Sequence, residues 1–319
     1  MMRLTWLSIL LPTYNGEKYL ASTLKSVLIQ NDPDIECLAV DDASSDATLE
    51  ILSDFHGKIP MRVYQPPRSG NWVINTNLAL SESRGEYVCL LHQDDMWLPE
   101  RLRILKSLIR RYPKTNLFLH PSFYIDDRER RLGVWRCPLP PCPQSIDPNT
   151  VVERLLVQNF ISIPAPVFKR GAALRVGGLD DRLWYTADWD FWLKMAQTGT
   201  TVYYPEPLSA FRVHEGSQTV LGSVSLKDWR EQIKIVFHRH FKTWRAPEPI
   251  KRETRLAALF SIEVNTALAS IIHGKKPNLG KLASDVFRLG PREWRRYFRD
   301  SRITERVSAR LKTRIKPKD

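Results

Sequence analysis

Two adjacent carboxylates, Asp94 and Asp95, are the groups in this sequence best suited to chemistry. They follow an apolar run at residues 87–91 that predicts a buried strand, and open α/β sheets bind ligands at the carboxyl ends of such strands. Neighbouring anions repel each other, and Mg²⁺ or Mn²⁺ relieves that repulsion while also binding a diphosphate. A solvated turn that caps a helix would contain the same residues, so the pair alone leaves both interpretations open.

Two later stretches carry further candidate groups. Asp188 stands at the predicted start of a helix, where the helix dipole favours an ionised carboxylate, although an ordinary N-cap would look the same. Arg212 and His214 alternate at the end of a predicted strand, an arrangement that suits binding a phosphate or a metal ion.

Alternating short strands and helices must position these groups. Strands are predicted at residues 7–12, 35–40, 61–64 and 87–91, with an amphipathic segment after each of the first three. This order is typical of a parallel, doubly wound α/β sheet. Beyond it we expect a helix at 98–111 opened by Pro99, one strand at 116–125, and a charged hairpin or loop at 126–136. No Gly-x-Gly-x-x-Gly follows the first strand, which disfavours a dinucleotide-binding fold.

The composition is that of a globular protein with a basic carboxyl-terminal region. The 319 residues carry a net charge of +13, and much of the excess follows Lys275. Arginines repeat every four residues from Arg302 to Arg314 beside an apolar stripe, which predicts a basic amphipathic helix. That helix could meet an anionic membrane surface or pack on the rest of the protein.

Several features indicate a cytoplasmic protein. Residues 1–12 lack the apolar segment of a signal peptide, and no apolar run is long enough to span a bilayer. Four scattered cysteines do not form a disulfide framework, which fits a reducing compartment.

Taken together, the motifs resemble those of the family 2 glycosyltransferases of the GT-A fold, over residues 7–217. The matching segments are Pro12-Thr13-Tyr14-Asn15, Val40-Asp41-Asp42-Ala43-Ser44-Ser45-Asp46, Asn77 with Arg84-Gly85-Glu86-Tyr87, Gln93-Asp94-Asp95, Ala187-Asp188-Trp189-Asp190 and Arg212-Val213-His214. Two positions depart from the family pattern. His92 replaces the first aspartate of Asp-x-Asp-Asp, and Ala187 replaces the glutamate before the catalytic base.

The resemblance implies an inverting transferase that moves a hexosyl or deoxyhexosyl group from a nucleotide-diphosphate sugar, UDP- or dTDP-linked, to an acceptor hydroxyl. It implies Asp95, helped by Asp94 and closed by His214, as ligands of Mn²⁺ or Mg²⁺. It implies Asp188 as the general base, with Asp190 as the alternative on the same helix.

The remaining implied contacts concern the nucleotide sugar. Thr13 and Tyr14 would flank the nucleobase, and Pro12 and Asn15 would also contact the nucleotide sugar. Asp42, or else Asp41, would accept hydrogen bonds from the base or ribose. Asn77, Asp94 and Arg212 complete the implied nucleotide-sugar contacts, and Arg212 would close over the phosphates.

The expected organisation is a GT-A catalytic domain at residues 1–220, followed by a basic helical region at 221–319. The catalytic domain would be divided into a donor half (1–97) and an acceptor half (98–220). The basic region would make the possible contact with an anionic membrane. The acceptor would be a glycan or lipid-linked glycan. That would place the enzyme in O-antigen, capsule or exopolysaccharide synthesis, in the cytoplasm or peripherally at the inner membrane.

Three rival classes remain open at this point. Basic charge could indicate nucleic-acid binding, but such charge is non-specific and no nucleic-acid partner is expected. A sugar nucleotidyltransferase would need a glycine-rich basic loop after the first strand, and residues 12–15 are not one. A nucleic-acid- or membrane-binding protein with a degenerate glycosyltransferase domain is the third class, which the retained Asp94, Asp95 and Asp188 disfavour.

Overall fold

The computed structural model of the chain describes residues 5–142, 144–214, 216, 225–273, 275–277 and 279–314. Its strands are β1 Leu7–Thr13, β2 Ile35–Asp41, β3 Met61–Tyr64, β4 Tyr87–Leu90, β5 Met96–Trp97, β6 Leu117–Leu119, β7 Ser122–Ile125, β8 Arg131–Trp135, β9 Val167–Lys169, β10 Thr201–Tyr203 and β11 Ser209–Arg212. Its helices are α1 Leu20–Leu28, α2 Thr48–His56, α3 Trp72–Glu82, α4 Arg101–Arg111, α5 Pro148–Val157, α6 Arg170–Arg175, α7 Ala187–Ala196, α8 Leu226–Thr243, α9 Glu248–Ile272, α10 Leu279–Ser301 and α11 Ile303–Arg314.

A seven-stranded sheet in the order β10-β6-β9-β4-β1-β2-β3 forms the centre of the protein. β1 is parallel to both β2 and β4, whereas β9 is antiparallel to both of its neighbours. Every residue of β1 and β2 is buried, as expected for strands covered by helices on both faces. The predicted α/β class with carboxyl-terminal helices is therefore confirmed.

The two faces of this sheet belong to two separate apolar cores. Side chains alternate along a strand, so Leu10 packs in one core while Ile9 and Leu11 pack in the other. Because β1 and β2 are in register with Thr13 opposite Asp41, their carboxyl ends meet at one edge of the sheet. The loops that follow these strands therefore lie side by side.

A second sheet, in the order β5-β11-β7-β8, corrects two predictions. The expected single strand at 116–125 is divided, because the chain leaves the large sheet at Pro121, which has no N–H to donate, and continues as β7 in the small one. The helix expected to open at Pro99 begins instead at Arg101, after the short strand β5 and a Glu100 with φ of +69°. Residues 126–136 form the hairpin alternative, with β8 antiparallel to β7.

The helices after residue 225 pack against the rest of the chain. Val236 and Phe237 of α8 are buried in one of the two sheet cores. The basic helix α11 packs against β8, where Ala309 is buried beside Leu132. Of the two alternatives for this helix, this part of the structure corresponds to packing on the rest of the protein. The predicted domain boundary at residue 220 lies within residues 217–224, which are outside the described residues. It therefore stays a prediction.

Candidate active site

The loops after β1 and β2 are joined by hydrogen bonds. The Thr13 hydroxyl donates to Asp41 Oδ1 at 2.9 Å, and the Asn15 N–H donates to the Ser44 hydroxyl at 2.9 Å. Pro12 and Thr13 are buried, whereas Tyr14 and Asn15 are exposed. Of these four predicted residues, only Tyr14 and Asn15 present side chains at the surface of the sheet edge.

Asp41 and Asp42 are largely occupied by the protein itself. Asp41 also accepts hydrogen bonds from the N–H and hydroxyl of Ser44. Asp42 accepts from the backbone N–H groups of Ser69 and Gly70 at 2.7 and 2.8 Å. Burial would raise the pKa of Asp42, but these hydrogen bonds lower it below its ordinary value. In this structure both carboxylates hold loops, and their contact with a base or ribose stays a prediction.

The loop that carries the acidic pair is attached to the end of β1 through Gln93. Its side-chain amide donates to the Tyr14 carbonyl at 2.9 Å and accepts from the Tyr14 N–H at 2.8 Å. Gly16 permits this contact, since a Cβ at residue 16 would lie 2.5 Å from Gln93 Oε1. Gln93 was not singled out from the sequence, because its partner is 79 residues away.

Asp94 and His214 come together although they are 120 residues apart. His214 Nε2 donates to Asp94 Oδ2 at 2.8 Å. Burial alone would raise the pKa of Asp94, but the hydrogen bond from His214 lowers it. Burial and the neighbouring Asp94 charge raise the pKa of Asp95.

Asp95 is more deeply enclosed than Asp94. Only 1% of its surface is exposed, and its Oδ1 accepts from the Arg212 N–H at 3.1 Å. Its Oδ2 is buried and has no hydrogen-bond partner within the described residues. Asp95 is therefore held by β11, with one oxygen left unpaired.

Arg212 is held within the protein beside the acidic loop. Its guanidinium donates to the Asp94 and Asp126 carbonyls at 2.9 and 3.0 Å and lies 4.6 Å from the centre of the Tyr19 ring. It is 1% exposed and also bonded to Glu129 at 3.3 Å. These contacts position the acidic loop, and closure of Arg212 over the phosphates stays a prediction.

Asn77 is bonded to the turn before α7. Its side chain donates to the Leu179 carbonyl at 2.9 Å and accepts from the Leu179 N–H at 3.0 Å. Gly178 is required beside it, because φ is +64° and a Cβ there would lie 2.6 Å from Asn77 Oδ1. This paired bond joins α3 to the turn before α7, and the implied contact of Asn77 with the nucleotide sugar stays a prediction.

The two aspartates of α7 have opposite environments. Asp188 is partly exposed, and its Oδ2 accepts one hydrogen bond, from the neutral amide of Asn159 at 2.8 Å. Burial raises the pKa of Asp188 to about 6, and the Asn159 bond opposes that rise. Asp190 is fully buried and contacts Lys194 at 2.9 Å and Arg239 and His240 at 2.8 Å. The alternative base is thus enclosed in an ion cluster that joins α7 to α8.

Asp190→Asn should destabilise the fold, because Lys194, Arg239 and His240 would lose their shared buried anion. We expect a loss of about 3 kcal/mol in the free energy of unfolding at pH 7, measured by urea denaturation, with exposed Asp54→Asn as the control. Hydrogen bonds from His240 and Lys194 outweigh burial and lower the pKa of Asp190 from 3.8 to about 2. The contribution of its charge is therefore complete above pH 3.8 and disappears as the pH falls through about 2. Equal stability of the two variants would contradict this role.

Aromatic contacts connect the acidic loop to the segment before α7. The rings of Trp72 and His92 lie 5.0 Å apart, edge to face, and Trp72 Nε1 donates to the Trp184 carbonyl at 2.9 Å. His92 Nε2 is buried without a hydrogen-bond partner in the described part of the chain. The structure thus connects the predicted donor side to the neighbourhood of Asp188.

Residues 8–154 match the family model "Glycosyl transferase family 2". Over these residues, a little under half of the chain, the sequence is similar to the family 2 glycosyltransferases. It is 25% identical over 215 residues to an uncharacterized glycosyltransferase of Rickettsia typhi, an alignment that covers 66% of this chain and 65% of that relative, under two thirds of its length. It is also 36% identical over 105 residues to the poly(ribitol-phosphate) β-N-acetylglucosaminyltransferase TarS of Staphylococcus aureus, covering 32% of this chain and 18% of TarS.

Solved structures place this chain in the GT-A fold. TarS residues 1–349 in complex with UDP-GlcNAc match with a TM-score of 0.66 and 20% identity, over 83% of this chain and 74% of that one. The mannosyltransferase PcManGT of Pyrobaculum calidifontis, in complex with GDP-Man and Mn²⁺, matches with a TM-score of 0.55 and 16% identity, over 96% and 86% of the two chains. At these identities the likeness shows the fold alone, and it confirms the predicted GT-A class.

The metal-ligating side chains at this site fit a divalent cation that is bound jointly with a substrate. No group of three or more His, Cys, Asp or Glu side chains in the described residues is arranged to hold a metal alone. Mg²⁺ in phosphate-transferring sites is held by one or two carboxylates plus the substrate phosphates. Adjacent ligands of an octahedral ion lie about 3 Å apart, close to the 2.8 Å between Asp94 Oδ2 and His214 Nε2, and a cation held by both atoms would take the place of the proton that His214 donates. The unpaired buried oxygen of Asp95 supplies a further acceptor nearby.

No described helix has the length and hydropathy needed to cross a bilayer.

Proposed function

We propose that this chain is an inverting glycosyltransferase that moves a hexosyl or deoxyhexosyl group from a UDP- or dTDP-linked sugar to the hydroxyl of a glycan or lipid-linked glycan. The observation that carries the proposal is the contrast between Asp188 and Asp190. Asp188 is partly exposed and accepts from the neutral amide of Asn159, whereas Asp190 is enclosed by Lys194, Arg239 and His240. A carboxylate with a pKa of about 6 is ionised at neutral pH and still basic enough to accept a proton.

In the proposed reaction, Asp188 accepts the proton of the acceptor hydroxyl as that oxygen attacks the anomeric carbon. The bond between this carbon and the diphosphate oxygen breaks, and the nucleoside diphosphate leaves with the bonding electrons. Attack opposite the leaving group inverts the anomeric configuration. Asp94 and His214, with Asp95 beside them, would hold Mn²⁺ or Mg²⁺, which supplies Lewis-acid stabilisation of the diphosphate when bound.

The site contacts support a nucleotide-diphosphate ligand next to the acidic loop. Tyr14 is exposed, and the Arg68 guanidinium lies 4.7 Å from its ring and donates to its hydroxyl at 2.6 Å. We propose that the nucleobase binds beside Tyr14 and Asn15, with the diphosphate reaching Asp94. The cationic Arg68 offers a counter-charge to that ligand, a residue that the sequence analysis did not select.

The pathway and location follow as further parts of the proposal. PcManGT was solved with GDP-Man and Mn²⁺, and TarS is a glycosyltransferase named for poly(ribitol-phosphate), which supports a nucleotide-sugar donor and a cell-surface polymer as product. We propose that the enzyme acts in cell-surface polysaccharide synthesis on the cytoplasmic side of the membrane.

Thermal unfolding with a panel of nucleoside diphosphates tests the proposed donor site. At a hundred times its dissociation constant, the matching nucleotide should add about 2.7 kcal/mol to the free energy of unfolding. We expect that gain with UDP or dTDP plus Mn²⁺ and its loss on adding a chelator. Stabilisation by no nucleotide under either condition would refute the proposed function.

Asn159→Ala should change the pH dependence of transfer. Loss of its hydrogen bond removes one of the bonds that oppose the effect of burial, so the pKa of Asp188 rises above about 6. Because the base must be deprotonated, we expect the acidic limb of the pH–rate profile to move upward by ~1 pH unit, with little change at pH 9. Exposed Asn149→Ala, ten residues earlier, is the matched control. An unshifted acidic limb with uniformly lower rates would indicate a purely structural Asn159.

A further inference from the structure

An exposed indole lies four residues before the proposed base. Trp184 leaves 37% of its surface exposed, whereas Trp189 and Trp192 in the following helix are 6% and 0% exposed. Its ring stacks on that of Tyr185, with the centres 3.8 Å apart and an angle of 26° between the planes. One side of Trp184 is therefore covered by Tyr185, and the side chain still presents a large apolar area to solvent.

The segment that carries Trp184 is held from two directions. From α3, Trp72 Nε1 donates to the Trp184 carbonyl and the Asn71 amide donates to the Asp181 carbonyl, both at 2.9 Å. From α8, the Gln232 side chain accepts from the Tyr185 N–H at 3.2 Å. These bonds keep an exposed aromatic ring in a defined position beside α7, although the ring itself contributes little to either sheet core.

We propose that Trp184 is a stacking platform for a pyranose ring of a carbohydrate acceptor. The inference rests on the proposed function and specifies its acceptor. One face of a pyranose presents several C–H bonds, whose partial positive charge is attracted to the negative face of an indole. An extended polyol phosphate has no such face. The platform therefore favours a ring-form glycan over a polyol-phosphate chain as the group that delivers its hydroxyl to Asp188.

The unpaired polar atoms near this platform fit a hydroxyl-rich ligand. Among the described residues, the buried Tyr185 hydroxyl and His92 Nε2 have no hydrogen-bond partners. Tyr185 stacks on Trp184, and His92 contacts Trp72, which holds the Trp184 carbonyl. Unpaired buried polar groups are costly, so a ligand or water that supplies partners would be favoured here.

The platform can be observed by ¹⁹F NMR of the full chain labelled with 5-fluorotryptophan. The sequence has ten tryptophans, and Trp184→Phe identifies the Trp184 resonance by its loss. The probes are methyl pyranosides of glucose, galactose, mannose, rhamnose and N-acetylglucosamine, titrated to tens of millimolar without nucleotide, and ribitol 5-phosphate for comparison. We expect at least one pyranoside to move the Trp184 resonance in a saturable manner, while ribitol 5-phosphate does not.

Trp6, on the chain segment before β1, is the internal control, because its indole is bonded to Asp32 at 3.1 Å and its resonance should stay in place. By calorimetry, the responding pyranoside should bind at least tenfold more weakly to Trp184→Ala, with partial recovery in Trp184→Phe. A Trp184 resonance that no pyranoside moves, or that ribitol 5-phosphate moves equally, would overturn the proposal. The titration uses no nucleotide, so its failure is distinguishable from failure of the donor-site experiment.

Discussion

Asp188→Asn is expected to lower the rate of sugar transfer by about a thousandfold while leaving nucleotide binding intact. Asparagine keeps the shape of the side chain and can still accept the Asn159 hydrogen bond, but it cannot take the acceptor proton. The turnover number should fall at all pH values, and thermal stabilisation by the donor nucleotide should remain. Radiolabelled sugar transfer and thermal unfolding, measured on one preparation, separate these two effects.

Asp190→Asn provides the comparison that decides between the two aspartates. Its carboxylate is fully buried with Lys194, Arg239 and His240, so its replacement should reduce stability. At a temperature where Asp190→Asn remains folded, we expect substantial transfer by that variant. Should folded Asp190→Asn be inactive and Asp188→Asn active, the assignment of the base would be reversed.

Asp94→Asn is expected to abolish the metal-dependent part of nucleotide binding. The asparagine carbonyl can still accept from His214 Nε2, so the 2.8 Å contact is preserved while the negative charge is lost. The gain of about 2.7 kcal/mol expected with Mn²⁺ and saturating nucleotide should disappear. Unfolding curves recorded with Mn²⁺ and with chelator would show the change, and exposed Asp54→Asn should behave as wild type.

Asp95→Asn tests the order of the two aspartates. The resemblance implied Asp95 as the principal metal ligand, with Asp94 assisting. The structure shows Asp94 against His214, while Asp95 accepts from the Arg212 backbone and is 1% exposed. We therefore expect Asp95→Asn to reduce metal-dependent binding less than Asp94→Asn. The opposite order would restore the original assignment and leave Asp94 as the assisting group.

Local patterns account for what could be predicted about the large sheet. The runs at 7–12, 35–40, 61–64 and 87–91 are apolar and short, and each coincides with a strand of the structure to within one residue at either end. A buried parallel strand needs only a continuous apolar run, which is a property of neighbouring residues. The acidic loop, the start of α7 and the end of β11 could also be located, because each is marked by residues that are neighbours in the sequence.

The pairing of strands in the small sheet could not be predicted, because it joins segments that are far apart in the sequence. β5 has two residues, and it pairs with β11, more than a hundred residues later, with Ala210 opposite Met96. That register brings the Arg212 N–H to Asp95 and the Arg212 guanidinium to the Asp94 carbonyl. The role of Arg212 therefore depends on a pairing that neither segment indicates alone.

Residue types and their order in the chain were enough to indicate the α/β class, the family resemblance and the set of acidic and basic groups around the site. The partner of each group was decided by the tertiary structure. Asp188 and Asp190 stand two residues apart with identical carboxylates, yet one faces Asn159 and the other faces Lys194, Arg239 and His240. Side chains two positions apart on a helix point in different directions. Asn159 therefore contacts Asp188, while Arg239 and His240 of α8 contact Asp190. Burial and charge partners set the protonation of a carboxylate, and both come from residues that are distant in sequence.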